Sequence, residues 1–538
     1  MKIQFIHPSN DEKHLNLQNG YKSFPPPVGL EILANYLNSK NKGLDIEIFD
    51  GNSTDNDTIV SNINGDIIGI SDWFSNHNTV IKIARTIKRT NPKAKIIIGG
   101  PNASNLGERI LLNHMFIDYV VYGDGEEAID GIVKGLLLDK IPNLWYKTEE
   151  GSIKFTFKKS FNINSTLSYN LDHLFEYNIE KYDSRLYSYS NSVSLTPMPI
   201  SSIRGCIKAQ KYGACSFCSI NSDSKIKIKS AEKFWQQIIA LNSNYGINKF
   251  FETGDSFVIG DYPEQLLKTK PDNLNIHLRI YANIETLNSA KIDTLAKIGV
   301  KEIFIGIENI DNEVLSISNK SNNCNKILCT LDEIEKHGIS PFLSFIFGLP
   351  GETESSMYRN HSFAKYISNR FLKMNHISFN AGIPLIGSEW FKKLSSEFYV
   401  INKYKSFTGK SLISDDNLDY ELLFLLSLKL YTSVDFINVL RVLNTPLHPR
   451  LTNQVAGFGN ITDNILKSKK HLDFAFELWP DMDISDIKSE FKFYIIKSIN
   501  PAKFSTIAIS TSQYSDQKLQ KSCFFPHTPV PILDEKPI

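Results

Sequence analysis

Several features that would place a chain in a special class are missing from this sequence of 538 residues. Basic and acidic side chains nearly cancel, with 59 Lys and Arg against 58 Asp and Glu, so no overall field favours nucleic acid or an anionic membrane as partner. The opening MKIQFIHPSN has too short an apolar run for a signal peptide and is typical of a first strand. Six cysteines without a secretory signal do not suggest a disulfide framework, and a reducing cytoplasm is the expected location.

A long uncharged apolar run is also lacking. The most apolar segment, ELLFLLSLKLYTSVDFINVLRVL, begins at Glu421 and is interrupted by Lys429, Asp435 and Arg441. Three charges in a segment of this length argue against a membrane span. We therefore expect a buried or amphipathic helix here, and no membrane partner.

What the first 140 residues do contain is a regular alternation of apolar strands with helically spaced segments. Examples are KIQFIHP, then VGLEILANYLNSK, then LDIEIFDGN. This alternation predicts a parallel, doubly wound sheet with helices on both faces. Small and polar residues follow the predicted strands at Ser71, Gly99–Pro101 and Gly123–Glu126. Because ligands bind beyond the carboxyl ends of such strands, this edge is predicted to hold a small molecule or cofactor.

The segments PPPVGLEILANYL, GIS, IIIGGPNAS and DYVVYGDGEEAI, in this order, resemble the cobalamin-binding domain that precedes many radical S-adenosylmethionine enzymes. The resemblance covers residues 1–140 and lacks the D-x-H-x-x-G signature that supplies a histidine to cobalt in other cobalamin proteins. The lower cobalt ligand therefore stays open. The resemblance implies cobalamin contacts at Gly29, Leu30, Asp50, Ser71, Gly99, Gly100, Pro101, Gly123, Gly125 and Glu126.

A connector over residues 141–193 is predicted next. It starts with IPNLWYKTEEGSIKFTFKKSF, which has the pattern of a short hairpin turning at EEG. The rest of the connector shows no chemistry.

Three of the six cysteines lie within thirteen residues, Cys206, Cys215 and Cys218, spaced C-x8-C-x2-C. Structural zinc would require a further ligand pair at comparable spacing. Cys324, Cys329 and Cys523 supply none, and the first two are expected to be core thiols of one helix. Three thiolates suit an iron–sulfur cluster that leaves one iron open for chemistry.

The segment RGC…CSFC resembles the cluster loop of the radical S-adenosylmethionine superfamily, whose usual spacing is C-x3-C-x2-C. The expanded first gap is similar to loops in radical enzymes that mature ribosomal peptides. The resemblance implies that Cys206, Cys215 and Cys218 hold a [4Fe-4S] cluster. It also implies that S-adenosylmethionine takes the fourth place, with Phe217 over the open iron.

After the cysteines the strand and helix patterns alternate again, which predicts a full or partial (β/α) barrel over residues 194–403 with its site at the carboxyl ends of the strands. Residues 404–538 are predicted to be a mainly helical accessory region. The strand order resembles that of the radical family. It implies that S-adenosylmethionine contacts Glu252, Gly254, Asp255, Arg279, Gly306, Glu308, Ser344 and Gly348.

The resemblance implies an enzyme that cleaves S-adenosylmethionine to a 5′-deoxyadenosyl radical, with cobalamin as a second cofactor. C-methylation of an unactivated carbon in a natural product or peptide is the leading hypothesis. Radical cyclisation or rearrangement with the same cofactors is the alternative, and a non-catalytic cobalamin or cluster sensor is a third. A flavodoxin or ferredoxin is the expected electron donor.

Overall fold

The computed structural model describes residues 1–9, 26–52, 54–165, 170–174, 198–220, 225–374, 376–445, 447, 452–455 and 460–482. The chain divides into two compact units, Met1–Thr462 and Asp463–Ile538. Both predicted cofactor regions belong to the first unit.

The first unit begins with a seven-stranded sheet in the order β2-β1-β3-β4-β5-β6-β7. Its first five strands in the chain pair in parallel, and they are β1 (Lys2–His7), β2 (Asp45–Asp50), β3 (Ile67–Ser71), β4 (Lys95–Gly99) and β5 (Tyr119–Val121). Five helices alternate with them: α1 (Val28–Lys40), α2 (Asn56–Asn62), α3 (His77–Thr90), α4 (Pro101–Asn113) and α5 (Glu126–Val133). The isoleucines of β3 and β4 are buried, as expected for strands covered on both faces. The predicted doubly wound domain is confirmed.

The predicted hairpin is also present. Strands β6 (Leu144–Lys147) and β7 (Ile153–Phe155) pair in antiparallel fashion around the EEG turn. Strand β6 also pairs in antiparallel fashion with β5, so the hairpin extends the first sheet beyond residue 140.

A second seven-stranded sheet has the order β16-β15-β14-β13-β12-β11-β8, and its described pairs are all parallel. Its strands are β8 (Met198–Ile200), β11 (Lys249–Glu252), β12 (His277–Ala282), β13 (Val300–Glu308), β14 (Ser340–Phe347), β15 (His376–Ala381) and β16 (Thr452–Val455). Strands β9 (Ile203–Arg204) and β10 (Lys227–Ile228) form a separate antiparallel ribbon. The intervening helices are α6 (Ile207–Tyr212), α7 (Ala231–Tyr245), α8 (Tyr262–Lys268), α9 (Ser289–Ile298), α10 (Asn312–Ile317), α11 (Cys324–Lys336) and α12 (Glu354–Arg370). Over the described residues, β8 and β16 are the edges, so the barrel is partial.

An aromatic row crosses five strands of the second sheet on one face. Ring centroids lie 5.2 Å apart for Phe251 and Tyr281, 4.8 Å for Tyr281 and Phe304, 4.5 Å for Phe304 and Phe342, and 4.0 Å for Phe342 and His376. Such edge-on and tilted pairs stabilise neighbouring strands beyond the area that they bury. The row therefore stabilises the pairing of five neighbouring strands.

Four more helices lie between β15 and β16: α13 (Glu389–Ser396), α14 (Phe398–Thr408), α15 (Tyr420–Tyr431) and α16 (Phe436–Asn444). Helix α14 runs across the predicted boundary at residue 403. The apolar segment from Glu421 is buried as predicted, but it forms two helices that meet at 109°. The break occurs where the Asp435 side chain accepts the Asn438 N–H and begins α16.

No single helix among the described residues is long and apolar enough to cross a bilayer. The bent pair α15 and α16 meets that test only when the two helices are taken together, and by length and composition alone. Helices α17 (Asn460–Lys467) and α18 (Lys469–Leu478) complete the described chain.

Candidate cofactor sites

The three-cysteine loop follows the ribbon strand β9. Cys206 precedes the short helix α6, and its carbonyl accepts the Gln210 N–H at 3.0 Å. The Cys218 N–H donates to the Cys215 carbonyl at 2.9 Å, which closes a tight turn between the second and third cysteines. Gly205 has φ 92°, a left-handed conformation that glycine adopts readily, so the chain turns directly before Cys206.

Hydrogen bonds from two other parts of the fold hold this loop. The Ser216 N–H donates to the Ser318 carbonyl at 2.9 Å, and the Trp390 N–H donates to the Ser216 carbonyl at 2.8 Å. The Asn319 amide donates to the Ala214 carbonyl at 2.9 Å. The cysteine loop is thus fixed by the segment after α10 and by the start of α13.

The thiols of the cysteine loop lie close enough to influence one another electrostatically. Burial, together with the neighbouring Cys215, Asp255 and Cys206, raises the pKa of the Cys218 thiol to about 12. Burial also raises the pKa of Cys215, while Lys320 lowers it. Three thiols that influence one another in a partly buried loop would be stabilised as thiolates by iron ions, for which they are suitable soft ligands.

Phe217, predicted to cover the open iron, packs against a buried apolar cluster of Val314, Leu349 and Trp390. Its ring thereby anchors the loop beside the second sheet. Cys329, expected to be a core thiol, is exposed on α11, so that prediction is wrong. Cys523 lies outside the described residues.

Glu308 and Gly306 both contact Lys320, a residue that the sequence analysis did not single out. The Lys320 ammonium donates to the Glu308 Oε1 at 2.8 Å and to the Gly306 carbonyl at 2.7 Å. A Cβ at Gly306 would lie 2.1 Å from that Glu308 oxygen. Lys320 follows Glu308 by twelve residues, and no spacing signal distinguishes it from the other lysines. Lys320 and Glu308 offer a cation for a carboxylate and an acceptor for hydroxyls, which fits S-adenosylmethionine.

Glu252 is fully buried at the end of β11, and its carboxylate accepts the Ser202 N–H at 2.9 and 3.0 Å and the Gly254 N–H at 3.0 Å. Burial raises its pKa to about 7. A Cβ at Gly254 would lie 2.8 Å from the Ile203 carbonyl, so glycine is required by packing. Asp255 accepts the Gly205 N–H at 3.1 Å, directly before the first cysteine. Contact of these residues with S-adenosylmethionine stays a prediction.

Arg279, on β12, donates through Nε to Glu302, and its guanidinium lies 5.7 Å from the Phe251 ring centroid. Burial would raise the pKa of Glu302, but the neighbouring His277 and Arg279 outweigh that effect and hold it at about 2. The charge of Arg279 is therefore balanced within the barrel. Ser344, on β14, accepts from the Asn380 amide at 3.0 Å.

Gly348 has φ 85° and donates its N–H to Glu352 Oε2 at 2.5 Å. The other Glu352 oxygen accepts from the Asn309 amide at 2.8 Å, and burial raises the pKa of Glu352 to about 7. This carboxylate joins the ends of β13 and β14. The sequence analysis did not single out Glu352, because nothing in the local pattern marks its partners.

The predicted cobalamin residues lie at the carboxyl edge of the first sheet or at the first turns of α1, α4 and α5. They are Gly29, Leu30, Asp50, Ser71, Gly99, Gly100, Pro101, Gly123, Gly125 and Glu126. Among the described residues, a Cβ would meet nothing within 4 Å at Gly29 or Gly123, which leaves cobalamin contact at these two glycines a prediction. At Gly100, with φ 114°, a Cβ would lie 2.6 Å from the Asp72 carbonyl, so this glycine serves the packing of the edge itself.

His77 lies near the same edge but is not available as a cobalt ligand. Its Nδ1 lies 2.9 Å from Asp72 Oδ1, and its Nε2 lies 3.1 Å from Asp416 Oδ2. Asp416 also lies 2.6 Å from His114 Nε2. This buried cluster joins the first sheet to the segment between α14 and α15.

Comparison with known families agrees with this geometry. The B12 binding domain family matches residues 20–133, and the Radical SAM superfamily, where SAM denotes S-adenosylmethionine, matches residues 200–364. These ranges contain the edge of the first sheet, the three cysteines and most strands of the second sheet.

Similar proteins are related at low identity. An uncharacterized methyltransferase of Pyrococcus horikoshii, PH0819, is 24% identical over 397 residues, which cover 71% of this chain and 82% of that protein. The radical S-adenosylmethionine methyltransferase TsrM from Kitasatospora setae, solved with cobalamin and a [4Fe-4S] cluster, has a TM-score of 0.55 and 18% identity, with 73% of this chain and 74% of that chain covered. The cobalamin-dependent radical enzyme OxsB, with aqua-cobalamin and S-adenosylmethionine bound, has a TM-score of 0.59 and 14% identity, over 92% and 74% of the two chains.

The fold and the two matched families define a protein that combines a B12 binding domain with a partial (β/α) barrel of the Radical SAM superfamily. The chain belongs to the cobalamin-dependent radical SAM enzymes. Its cofactors are a [4Fe-4S] cluster, S-adenosylmethionine and cobalamin.

Proposed function

We propose that this enzyme is a methyltransferase that acts on an unactivated carbon of a small molecule or peptide. The proposal rests on the arrangement of one compact unit. It contains the three-cysteine loop, the Glu308–Lys320 pair and the glycine-lined edge of the first sheet. The likeness to two proteins named as methyltransferases supports it.

The residues of this chain would bind and orient the cofactors. Cys206, Cys215 and Cys218 would hold the cluster, Lys320 the carboxylate of S-adenosylmethionine, and Glu308 its hydroxyls. When bound, the cofactors supply reductive cleavage of S-adenosylmethionine to a radical and a transferable methyl group. The protein must also keep water from that radical. Phe217, which packs against Val314, Leu349 and Trp390, would contribute apolar surface to that exclusion of water.

The test uses protein purified without oxygen, with its cluster rebuilt and cobalamin added. After S-adenosylmethionine and a low-potential reductant are supplied, 5′-deoxyadenosine and S-adenosylhomocysteine are quantified by mass spectrometry. We expect both, with S-adenosylhomocysteine formed only when cobalamin is present. Deoxyadenosine alone would contradict methyl transfer and favour cyclisation or rearrangement. Neither product, from protein with a full cluster, would contradict both reactions.

Cysteine variants provide the matched controls. We expect Cys206→Ala, Cys215→Ala and Cys218→Ala each to lose the cluster iron and both products. Cys329→Ala removes an exposed thiol on α11 and should change neither. Full iron content in Cys215→Ala would contradict the assigned ligands.

A further inference from the structure

Arg204 connects the two predicted cofactor regions of the first unit. It lies on β9, two residues before Cys206, and its guanidinium reaches across to the turn between β5 and α5. One nitrogen donates to Asp124 Oδ1 at 2.8 Å and another to Glu126 Oε1 at 2.6 Å. The Glu126 side chain is only 2% exposed, and that of Asp124 is 10% exposed. The contact is thus a largely buried, forked ion pair between residues about eighty positions apart.

The second ribbon strand strengthens the same contact. Lys227, on β10, is the register partner of Arg204 and also pairs with Asp124. Phe161 adds two contacts, because Asp124 Oδ2 accepts the Phe161 N–H at 3.1 Å and the Arg204 guanidinium lies over the Phe161 ring. Burial raises the pKa of Asp124, but Arg204 and Lys227 outweigh that effect and lower it. Two cations on one ribbon therefore hold one acidic turn.

This turn is where the sequence predicts cobalamin contacts at Gly123, Gly125 and Glu126. The Glu126 Oε1 is already engaged by Arg204. A Cβ at Gly123, by contrast, would meet no atom of the described residues within 4 Å, and the Gly123 N–H donates to the Ser104 hydroxyl at 2.9 Å. The acidic side chains of the turn thus contact Arg204, while Gly123 is held from α4.

The backbone after Arg204 continues directly into the cysteine loop. Gly205, the next residue, donates its N–H to Asp255, and Cys206 follows. The position of Cys206 is thus set by contacts to the first sheet through Arg204 and to the second sheet through Gly205. Buried ion pairs contribute little net stability, because desolvation offsets their attraction, and their best-attested role is to fix one geometry among several.

We propose that Arg204 is a positioning residue that holds the Gly123–Glu126 turn and the Cys206 loop in one fixed relation. The radical source and the cobalamin are thereby kept at a constant separation during turnover. This inference rests on the proposed methyl transfer for its meaning, but the coupling of the two loops can be measured without any cofactor.

The first experiment is hydrogen–deuterium exchange on the cofactor-free protein, comparing wild type with Arg204→Gln and Arg204→Lys. We expect Arg204→Gln to speed amide exchange in both segments, residues 119–128 and 203–218, while Arg204→Lys speeds it less. Arg370→Gln, which removes an exposed surface ion pair to Asp332, is the control and should leave both segments unchanged. Faster exchange in residues 203–218 alone, or in neither segment, would overturn the coupling. If Arg204→Gln does not fold, Glu126→Gln removes the acidic partner of the same ion pair instead. Amide exchange in residues 119–128 and 203–218 then tests the coupling in that variant.

The second experiment uses protein loaded with both cofactors. Pulsed electron paramagnetic resonance measures the separation of the reduced cluster and paramagnetic cobalt, and product analysis gives the ratio of 5′-deoxyadenosine to S-adenosylhomocysteine. In Arg204→Gln we expect a broader distance distribution and a several-fold higher ratio, at unchanged iron and cobalamin content, with partial recovery in Arg204→Lys. An unchanged distribution and ratio would overturn the inference. Absence of S-adenosylhomocysteine from the wild-type reaction would instead contradict the proposed methyl transfer. The coupling of the two loops would then be tested by the hydrogen–deuterium exchange result alone.

Discussion

Glu308 has a φ of 64°, a conformation that non-glycine residues rarely adopt. Such strain persists where surrounding contacts enforce it, and it is concentrated at functional sites. Here the contacts are the Lys320 ammonium and the close approach of Gly306. The strained carboxylate and its lysine thus form a pre-arranged polar pair beside the cysteine loop.

At the same scale, Lys320→Met should weaken the binding of S-adenosylmethionine. Loss of one charge-assisted contact to its carboxylate removes about 1.5–3 kcal/mol, which is roughly 10- to 100-fold in affinity. Calorimetry on the cluster-loaded protein measures this change. Lys336→Met removes an exposed lysine on α11 and is the control. Equal affinities for wild type and Lys320→Met would contradict the assigned role.

Strand β13 carries an irregularity that creates this pair. The pairing register with β14 shifts between Gly306 and Glu308, so Glu308 pairs with Phe345, the residue directly after Ser344. Bulges of this kind redirect a side chain and are common near active sites. The sequence FIGIEN predicts the strand but not the bulge, because the bulge depends on pairing with a strand about forty residues away.

Gly306→Ala tests the element directly. Its Cβ would meet the mobile end of the Glu308 side chain, so we expect the carboxylate to move while the strand stays folded. Affinity for S-adenosylmethionine should fall about 10-fold, with little change in the melting temperature. Gly246→Ala is the control, for which we expect a change in stability but none in affinity. With φ 67° at the end of α7, it should lower stability by about 1 kcal/mol and leave affinity intact. A Gly306→Ala protein with normal affinity would exclude this role of the bulge.

At the scale of the whole first unit, the buried cluster of His77, Asp72 and Asp416 joins the first sheet to the segment before α15. Burial by itself would lower the pKa of His77, but the two carboxylates raise it to about 10. The folded-state pKa lies above the ordinary value of 6.5. The stabilisation is therefore complete below about pH 6.5 and is lost as the pH rises through about 10.

We therefore predict that the difference in urea midpoint between wild type and His77→Gln depends on pH. The urea midpoint of the wild type should exceed that of the variant at pH 6.5, and the gap should narrow toward pH 10.5 as His77 loses its proton. Urea titrations monitored by circular dichroism at both pH values measure the gap. A His77→Gln gap that widens with pH would contradict the charged cluster.

The amino-acid sequence by itself determined the order of elements and the kinds of ligand. Strand and helix periodicity is local, so it predicted both parallel sheets and the hairpin at EEG. The close spacing of Cys206, Cys215 and Cys218 is likewise local, and it needed no fold to be noticed. The break between α15 and α16 was missed, although the cap at Asp435 could have indicated it.

Only the tertiary structure decided which charged and polar side chains meet across the fold. Lys320 joins Glu308, Glu352 joins Asn309, and Arg204 joins the turn at Asp124. A lysine or glutamate has no periodic pattern that marks its partner, and its energy depends on burial and orientation that packing alone sets. The sequence thus predicts which cysteines would hold the cluster, whereas only the folded chain shows which charged and polar side chains surround them.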